Sequence, residues 1–508
     1  MTASTAAEST TPHQGLALRR NEWLLLAGVL LLAVLVRLPG LPLPLERDEG
    51  AYAYVAMDWL RGGLPYRDAF DHKPPLIYLM YMPALVWGPP SALGVRIWAT
   101  LLHLSCIVLV YIIGRRVWRG AGGLLAALLF AAAGSAFELQ GMVLNTDQAL
   151  VLPALAALAC ALRYNETRRA GVLVAAGALV AAAVLIKPVA LVLVLPLLFS
   201  GGRGLGALVR TARFAVLGAA SLALPLLAYF ALRGGWSDLV FAVLSYNMLY
   251  AGESRARFDL GGLAEMYAPF VSLTVVAVGG VTLLRSDNAA APAVRRHSEG
   301  RLVAAWCGAL LLAALGSLRP WVHYYYPVLP LLSLLAAPSV VWLARSGSPA
   351  TLRQRIAAVA APLLLMAVLL VPLLDQNLLL VGATPTALAE RMYGDDGRNY
   401  FANAADAAAF VREHTSPDDR IYVFAAEPQV YVLAERRSSS RWIYDYPLGL
   451  VDGAPAELLR DLEAHPPALA VVYYGLRPPG LNRLVDERGF RKIGQFGGFE
   501  VFGPPGTN

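Results

Sequence analysis

The architecture turns on residues 21–59, "NEWLLLAGVLLLAVLVRLPGLPLPLERDEGAYAYVAMDW". An apolar run of membrane-spanning length breaks at Pro39-Gly40. Shortly afterwards the chain sets Arg47, Asp48 and Glu49 side by side. Beyond them Tyr52, Val55, Ala56, Trp59 and Leu60 recur at i, i+3, i+4, i+7 and i+8, one apolar helical face. Asp48, Asp58 and Arg61 fall off that face, and "RGGLP" stops the helix. The pattern predicts a helix in the membrane interface with its apolar side toward lipid. Asp48 stands at its N-terminal end, where the dipole favours an anion, and reads either as the helix cap or as a functional carboxylate.

Working outward, further runs of this kind recur along most of the chain. The 508 residues are 57% hydrophobic and 15% charged, too few charges to cover a soluble protein of this length. Apolar segments at 23–40, 95–114, 120–137, 148–163, 171–187, 188–200, 213–232, 262–284, 302–318, 324–344 and 356–374 predict a polytopic α-helical membrane protein of about eleven spans. The 188–200 segment is short enough to be tilted or broken. "PPLIYLMYMPALVWGPP" (74–90) is also short and bounded by prolines, and reads as a helix at the outer face.

The net charge of +7 gathers in alternate loops, such as "GRRVWRG", "RYNETRR" and "GGRGLGALVRTAR". That asymmetry points to membrane topology and away from nucleic acid. It predicts a disordered cytoplasmic N-terminus over 1–21, a membrane bundle over 22–375 and an extracytoplasmic C-terminus in a plasma-membrane protein. No signal-peptide pattern precedes the first span, which is expected to stay as an anchor. The three cysteines lie in apolar runs without CxxC spacing and read as core residues. Residues 376–508 change character: "AADAAAFVREHT" and "PAELLRDLEAH" read as helices, "RIYVFAA", "ALAVVYYG" and "FEVFG" as strands. They predict a small α/β domain on the outer side. No internal repeat appears.

On this topology the outer face collects Arg47, Asp48, Glu49, then Asp71, His72 and Lys73 in "DAFDHKPPL", and Asn145 and Asp147 in "NTD". It also collects Lys187 in "LIKPV", the loop 236–257, and Arg319 and His323 in "RPWVHYYYP". Ionisable groups at the hydrocarbon boundary are costly and mark function. The chain has 39 arginines and three lysines, and two of those lysines, Lys73 and Lys187, precede prolines at this face. A compact ammonium on a broken backbone suits a phosphate, whereas snorkelling is the plain alternative. Asp147 reads equally as a cap of the following span. No HExxH or CxxC spacing supports a metal at His72 or His323, and Tyr324–Tyr326 read as aromatic-belt packing.

An Asp-Glu pair after the first span, "HKPPL", Thr146-Asp147, "KP" after the fifth span and "HYYYPVLP" together resemble family 39 glycosyltransferases of the GT-C superfamily. That family includes protein mannosyltransferases and the aminoarabinose transferases of lipid A. The resemblance implies a GT-C fold and inverting transfer of a sugar from a polyprenyl-phosphate donor to an acceptor hydroxyl outside the cytoplasm. It implies that Asp48 is the general base, that Glu49 orients the acceptor or Asp48, and that Lys73 meets the donor phosphate. His72, Asp147, Lys187, Arg319 and His323 are further substrate-binding candidates. The lipid A enzymes carry an acidic residue before this lysine, in some at a metal site. His72 stands there instead, so no metal or cofactor is carried over. Membrane lipids are the surroundings, and the acceptor is unassigned. The rival reading is a transporter or flippase of a lipid-linked sugar, for which repeat symmetry and broken midplane helices would be expected.

Overall fold

The computed structural model describes residues 20–253, 260–284, 297–316, 321–345 and 352–507. The expected N-terminal segment lies, but for its last two residues, outside them. A helical bundle comprises α1 (Arg20–Arg37), α2 (Arg47–Leu60), α3 (Leu76–Val86), α4 (Ala92–Ala133), α5 (Thr146–Thr167), α6 (Ala170–Ile186) and α7 (Val194–Ser200). It continues with α8 (Leu205–Leu232), α9 (Trp236–Val240), α10 (Tyr246–Glu253), α11 (Leu260–Leu283), α12 (His297–Gly316), α13 (Leu329–Arg345) and α14 (Leu352–Leu378). Among the described residues six helices are long and apolar enough to cross a membrane, and five more apolar helices are shorter. The chain is a multi-pass membrane protein.

Two segments answer the sequence directly. The long α4 bends back at Arg119 (φ 70°), so the runs 95–114 and 120–137 are two helices of one hairpin. Their contact needs glycine: a Cβ on Gly123 would stand 2.5 Å from the Arg115 backbone nitrogen. The segment after Lys187 is broken as its length suggested, with a 3₁₀ stretch over Pro188–Leu193 ahead of α7.

At one end of the bundle Arg116 pairs with Glu166 at 3.1 Å and Glu299 at 2.6 Å, and Arg115 pairs with Glu22 at 3.2 Å. These residues come from the basic-loop side of the sequence pattern. The N-terminus of α5 lies at the other end, together with α2, α3 and the C-terminal domain.

That domain follows α14. It contains α15 (Pro385–Tyr393), α16 (Ala404–Glu413), β1 (Arg420–Phe424), α17 (Gln429–Ala434), β2 (Arg437–Ser438), α18 (Tyr446–Leu450), α19 (Ala454–Ala464), β3 (Leu469–Tyr473), α20 (Pro479–Arg488), β4 (Arg491–Phe496) and β5 (Phe499–Gly503). The five-stranded sheet runs β2-β1-β3-β5-β4, parallel across β2, β1 and β3 and antiparallel across β5 and β4. β4 escaped the sequence reading because a register shift between Lys492 and Gly494 breaks its alternation.

Helix α2 corrects an expectation. It does not turn a face to lipid, because every residue from Glu49 to Asp58 is buried. The apolar stripe that includes Tyr52 packs toward the bundle. A second stripe, Arg47, Gly50, Tyr54, Asp58 and Arg61, docks the C-terminal domain. Arg47 pairs with Glu427 at 2.8 Å and Asp396 at 3.1 Å, so it is an interdomain anchor. The Tyr54 hydroxyl accepts from the Ser438 backbone N–H at 2.7 Å, and Arg437 pairs with Asp58 at 3.4 Å. Gly50 allows the contact: a Cβ there would lie 2.4 Å from the Gln429 backbone nitrogen. Small residues on both sides let α2 be buried all round, which a single-face pattern does not reveal.

Candidate active site

The first turn of α2 presents Asp48. Its cap is Glu46, not Asp48: the extended Glu46 accepts from the backbone N–H groups of Asp48 (2.9 Å) and Glu49 (3.0 Å). Glu49 returns the bond to the Glu46 N–H at 3.4 Å, completing a capping box. Asp48 is thereby freed of capping and stays half-buried.

Glu49 points the other way, into the bundle. It is fully buried in a two-pronged ion pair with Arg96, whose Nη2 lies 2.6 Å from Oε2, and it accepts from the Leu144 N–H at 2.8 Å. Arg96 also donates to the Leu43 and Pro44 carbonyls. Glu49 therefore fixes α2 against α4 and against the loop entering α5. The adjacent carboxylates diverge: Glu49 is buried against Arg96, and Asp48 stays half-buried without an ion pair among the described residues. Arg96 was missed in the sequence. Its signal was a charge near one end of an otherwise apolar run, which requires a counter-ion.

The α5 cap is Asn145, whose side-chain oxygen accepts from the Thr146 N–H at 2.6 Å, so Asp147 is not a cap either. The Tyr52 hydroxyl stands 3.4 Å from both Asp48 Oδ2 and Asn145 Oδ1, tying the two N-termini together. Asp147 is buried and takes both its bonds from Lys187 Nζ, at 2.8 and 2.7 Å. Lys187 lies 3.7 Å from the Tyr324 ring centroid, a cation–π contact. This corrects the aromatic-belt reading, as does Tyr326, which is buried and donates to the Gly134 carbonyl at 3.0 Å. His323 Nε2 lies 3.8 Å from Asp147 Oδ2, while its buried Nδ1 has no partner among the described residues. Lys187, Asp147 and His323 thus form one cluster, in electrostatic reach of Asp48 and Lys73. Arg319 and the end of the loop 236–257 lie outside the described residues.

The third element is the loop 71–73. Asp71 is buried and accepts from the His72 N–H (2.7 Å) and from the hydroxyls of Tyr78 (3.0 Å) and Tyr444 (3.2 Å). Burial alone would raise its carboxyl, but the hydrogen bonds from His72 and the Lys73 charge outweigh it and hold Asp71 below the usual carboxylate range. His72 is lowered by burial and then by the Lys73 charge, against the pull of Asp71. Lys73 Nζ meets His72 Nε2 at 2.6 Å. Two of these contacts come from an unforeseen source, the C-terminal domain: Tyr444 reaches Asp71, and the Phe70 N–H donates to the Arg441 carbonyl at 2.8 Å.

Among the described residues no group of three or more His, Cys, Asp or Glu is arranged to hold a metal. The arrangement sets a half-buried carboxylate in electrostatic reach of the same cluster as two lysines, at one end of a membrane bundle. It can take a proton at one point and stabilise an anion at another.

Residues 71–229 match the family described as dolichyl-phosphate-mannose-protein mannosyltransferase. No curated protein matches the sequence. Among solved structures, ArnT from Cupriavidus metallidurans bound to undecaprenyl phosphate is 17% identical, with a TM-score of 0.65 over 95% of this chain and 98% of that one. The archaeal oligosaccharyltransferase AglB from Archaeoglobus fulgidus, in complex with an inhibitory peptide and a dolichol-phosphate, is 15% identical, with a TM-score of 0.54 over 89% of this chain and 69% of that one. These likenesses give the fold: a GT-C membrane bundle carrying a small C-terminal sheet domain.

Proposed function

We propose, from this GT-C fold and the charges at its mouth, that the chain is an inverting glycosyltransferase moving a sugar from a polyprenyl-phosphate donor to an acceptor hydroxyl. The observation that carries the reading is the state of Asp48. Glu46 is spent on the cap, Glu49 on Arg96, Asp147 on Lys187 and Asp71 on its three donors. Among the described residues Asp48 is paired with no cation, and the side chain that hydrogen-bonds its carboxylate is the Tyr52 hydroxyl. Its other oxygen is available to accept a proton from an incoming hydroxyl.

The leaving group is a phosphate monoester of the lipid, already stable as an anion, so it needs fixed positive charge and no acid. Lys73 supplies that charge. His323, with its unpartnered Nδ1, adds a donor to phosphate or sugar. Lys187, neutralised by Asp147, acts as scaffold. The attack runs from the Asp48 side: the hydroxyl oxygen bonds to the anomeric carbon, its proton passes to Asp48, and the phosphate leaves toward Lys73. Base and leaving group on opposite faces of the sugar require inversion. The undecaprenyl phosphate and dolichol-phosphate in the two similar structures support a lipid-phosphate donor. The Arg116 cluster at the far end supports a cytoplasmic side there and an extracytoplasmic site at the plasma membrane. No metal or cofactor enters this scheme.

The test uses the full chain in liposomes with a panel of polyprenyl-phosphate sugars and hydroxyl acceptors. Acceptor-dependent release of free polyprenyl phosphate, with product of inverted anomeric configuration, is expected. Sugar-lipid crossing the bilayer intact, without release, would instead establish the transporter reading.

A further inference from the structure

His72 is held between Lys73 on one ring nitrogen and Asp71 with Tyr444 on the other. The Lys73 ammonium has only N–H donors, so His72 Nε2, 2.6 Å away, must offer it a lone pair. The ring proton then sits on Nδ1. That nitrogen faces two oxygens, Asp71 Oδ1 and the Tyr444 hydroxyl, each at 3.4 Å. Tyr444 in turn donates to Asp71 Oδ1 at 3.2 Å, and Tyr78 holds the other carboxylate oxygen at 3.0 Å. The backbone and the ring are held as well. The His72 carbonyl accepts from Asn247 Nδ2 at 2.8 Å, and the ring packs on Tyr246 and Tyr250 at 5.4 and 5.3 Å.

We infer that Tyr444, supplied by the C-terminal domain, is a positioning residue of the phosphate site: with Asp71 it locks His72 as the Nδ1–H tautomer, and that imidazole aims Lys73 Nζ at the donor phosphate. The last clause rests on the donor reading above; the tautomer does not. Sequential hydrogen-bonded groups of this kind orient a charge more firmly than packing does. A flexible lysine stem would otherwise spread its ammonium over several rotamers. The C-terminal domain is then part of the site. Phe70 strengthens the same junction, with its ring 4.8 Å from Trp442 and its N–H on the Arg441 carbonyl.

Two measurements on the full chain in nanodiscs separate the tautomer from the donor reading. In ¹⁵N-histidine spectra, His72 is assigned by the signals lost in His72→Gln. Wild type should show protonated Nδ1 and unprotonated Nε2, and Tyr444→Phe, which frees the ring to turn away from Lys73, should mix the tautomers. In titrations with undecaprenyl phosphate, Tyr444→Phe should weaken binding roughly three- to tenfold, the effect of one lost hydrogen bond. His72→Phe should weaken it too, and adding Tyr444→Phe to His72→Phe should cost nothing more. His72→Gln keeps an acceptor for Lys73 and a donor for Asp71, and should retain most of the affinity. An Nε2–H tautomer in wild type, or Tyr444 and His72 effects that simply add, would overturn the inference. An Nδ1–H tautomer in a wild type that binds no undecaprenyl phosphate would refute the donor reading, and with it the aiming role, while leaving the hydrogen-bonded chain intact.

Discussion

Replacing Glu49 by glutamine separates the two adjacent carboxylates most sharply. Glu49 and Arg96 are both almost fully buried, and their ion pair carries the contacts among α2, α4 and the loop into α5. Removing one partner of such a pair leaves an uncompensated buried charge, a cost of about 3–5 kcal/mol. The glutamine oxygen still accepts from the Leu144 N–H, which returns about 1 kcal/mol. Arg96 also keeps its bonds to the Leu43 and Pro44 carbonyls. The net expectation is a loss of about 2–4 kcal/mol, a fall of roughly 30- to 1000-fold in the folded-to-unfolded ratio. Denaturant titration in a fixed detergent, followed by tryptophan fluorescence, reads this directly. Activity per folded molecule should fall less than stability does, because Glu49 has no surface toward the site. Wild-type stability combined with a raised acceptor KM would deny the structural role and return Glu49 to the acceptor.

Other predictions follow from the same contacts. Gly50→Ala drives a Cβ into the Gln429 backbone and should cost about 1–3 kcal/mol of docking, seen as faster proteolytic release of the C-terminal domain. In a double-mutant cycle on donor binding, Lys187→Met and Asp147→Asn should couple strongly, with the double variant milder than the sum of the singles; independent effects would deny the pairing. Asp71 has a lowered carboxyl in the folded state. Its ionisation therefore stabilises the fold above the unfolded value near pH 4, and that contribution fades as pH falls through the lowered folded value. The stability gap between wild type and Asp71→Asn should be full at neutral pH and shrink below about pH 4.

The membrane character, the helical hairpin at Arg119 and the α/β nature of the C-terminal domain were legible because each rests on local periodicity. The chemistry-bearing stretches "ERDEG", "DHKPPL" and "NTD" were legible as clusters of polar groups at apolar boundaries, and the structure brings them together at one end. What was not legible is long-range. Arg47 finds Glu427, and Asp71 finds Tyr444, across hundreds of residues. A tyrosine in "RWIYDYP" carries no local sign of such a role. Within the opening stretch glutamate is an unusual cap, so Glu46 was not weighed for that role and Asp48 stayed open between cap and functional carboxylate. Lipid exposure of α2 was misread because period alone reports one buried face, whereas Gly50, Ala51, Ala53 and Ala56 permit burial on all sides.

In the proposed reaction Asp48 takes the acceptor's proton while a lipid phosphate departs. Single-turnover release of polyprenyl phosphate from saturating donor and acceptor reads that step in wild type, Asp48→Asn and Asp147→Asn. The folded fraction of each is fixed first by denaturant titration. Asp48→Asn should stay folded and bind donor, but lose acceptor-dependent release by about 10²- to 10⁴-fold, the contribution of a positioned base. Asp147→Asn should lose less. Release by Asp48→Asn at the wild-type rate would contradict this role of Asp48, and a larger loss in Asp147→Asn would move the base to Asp147.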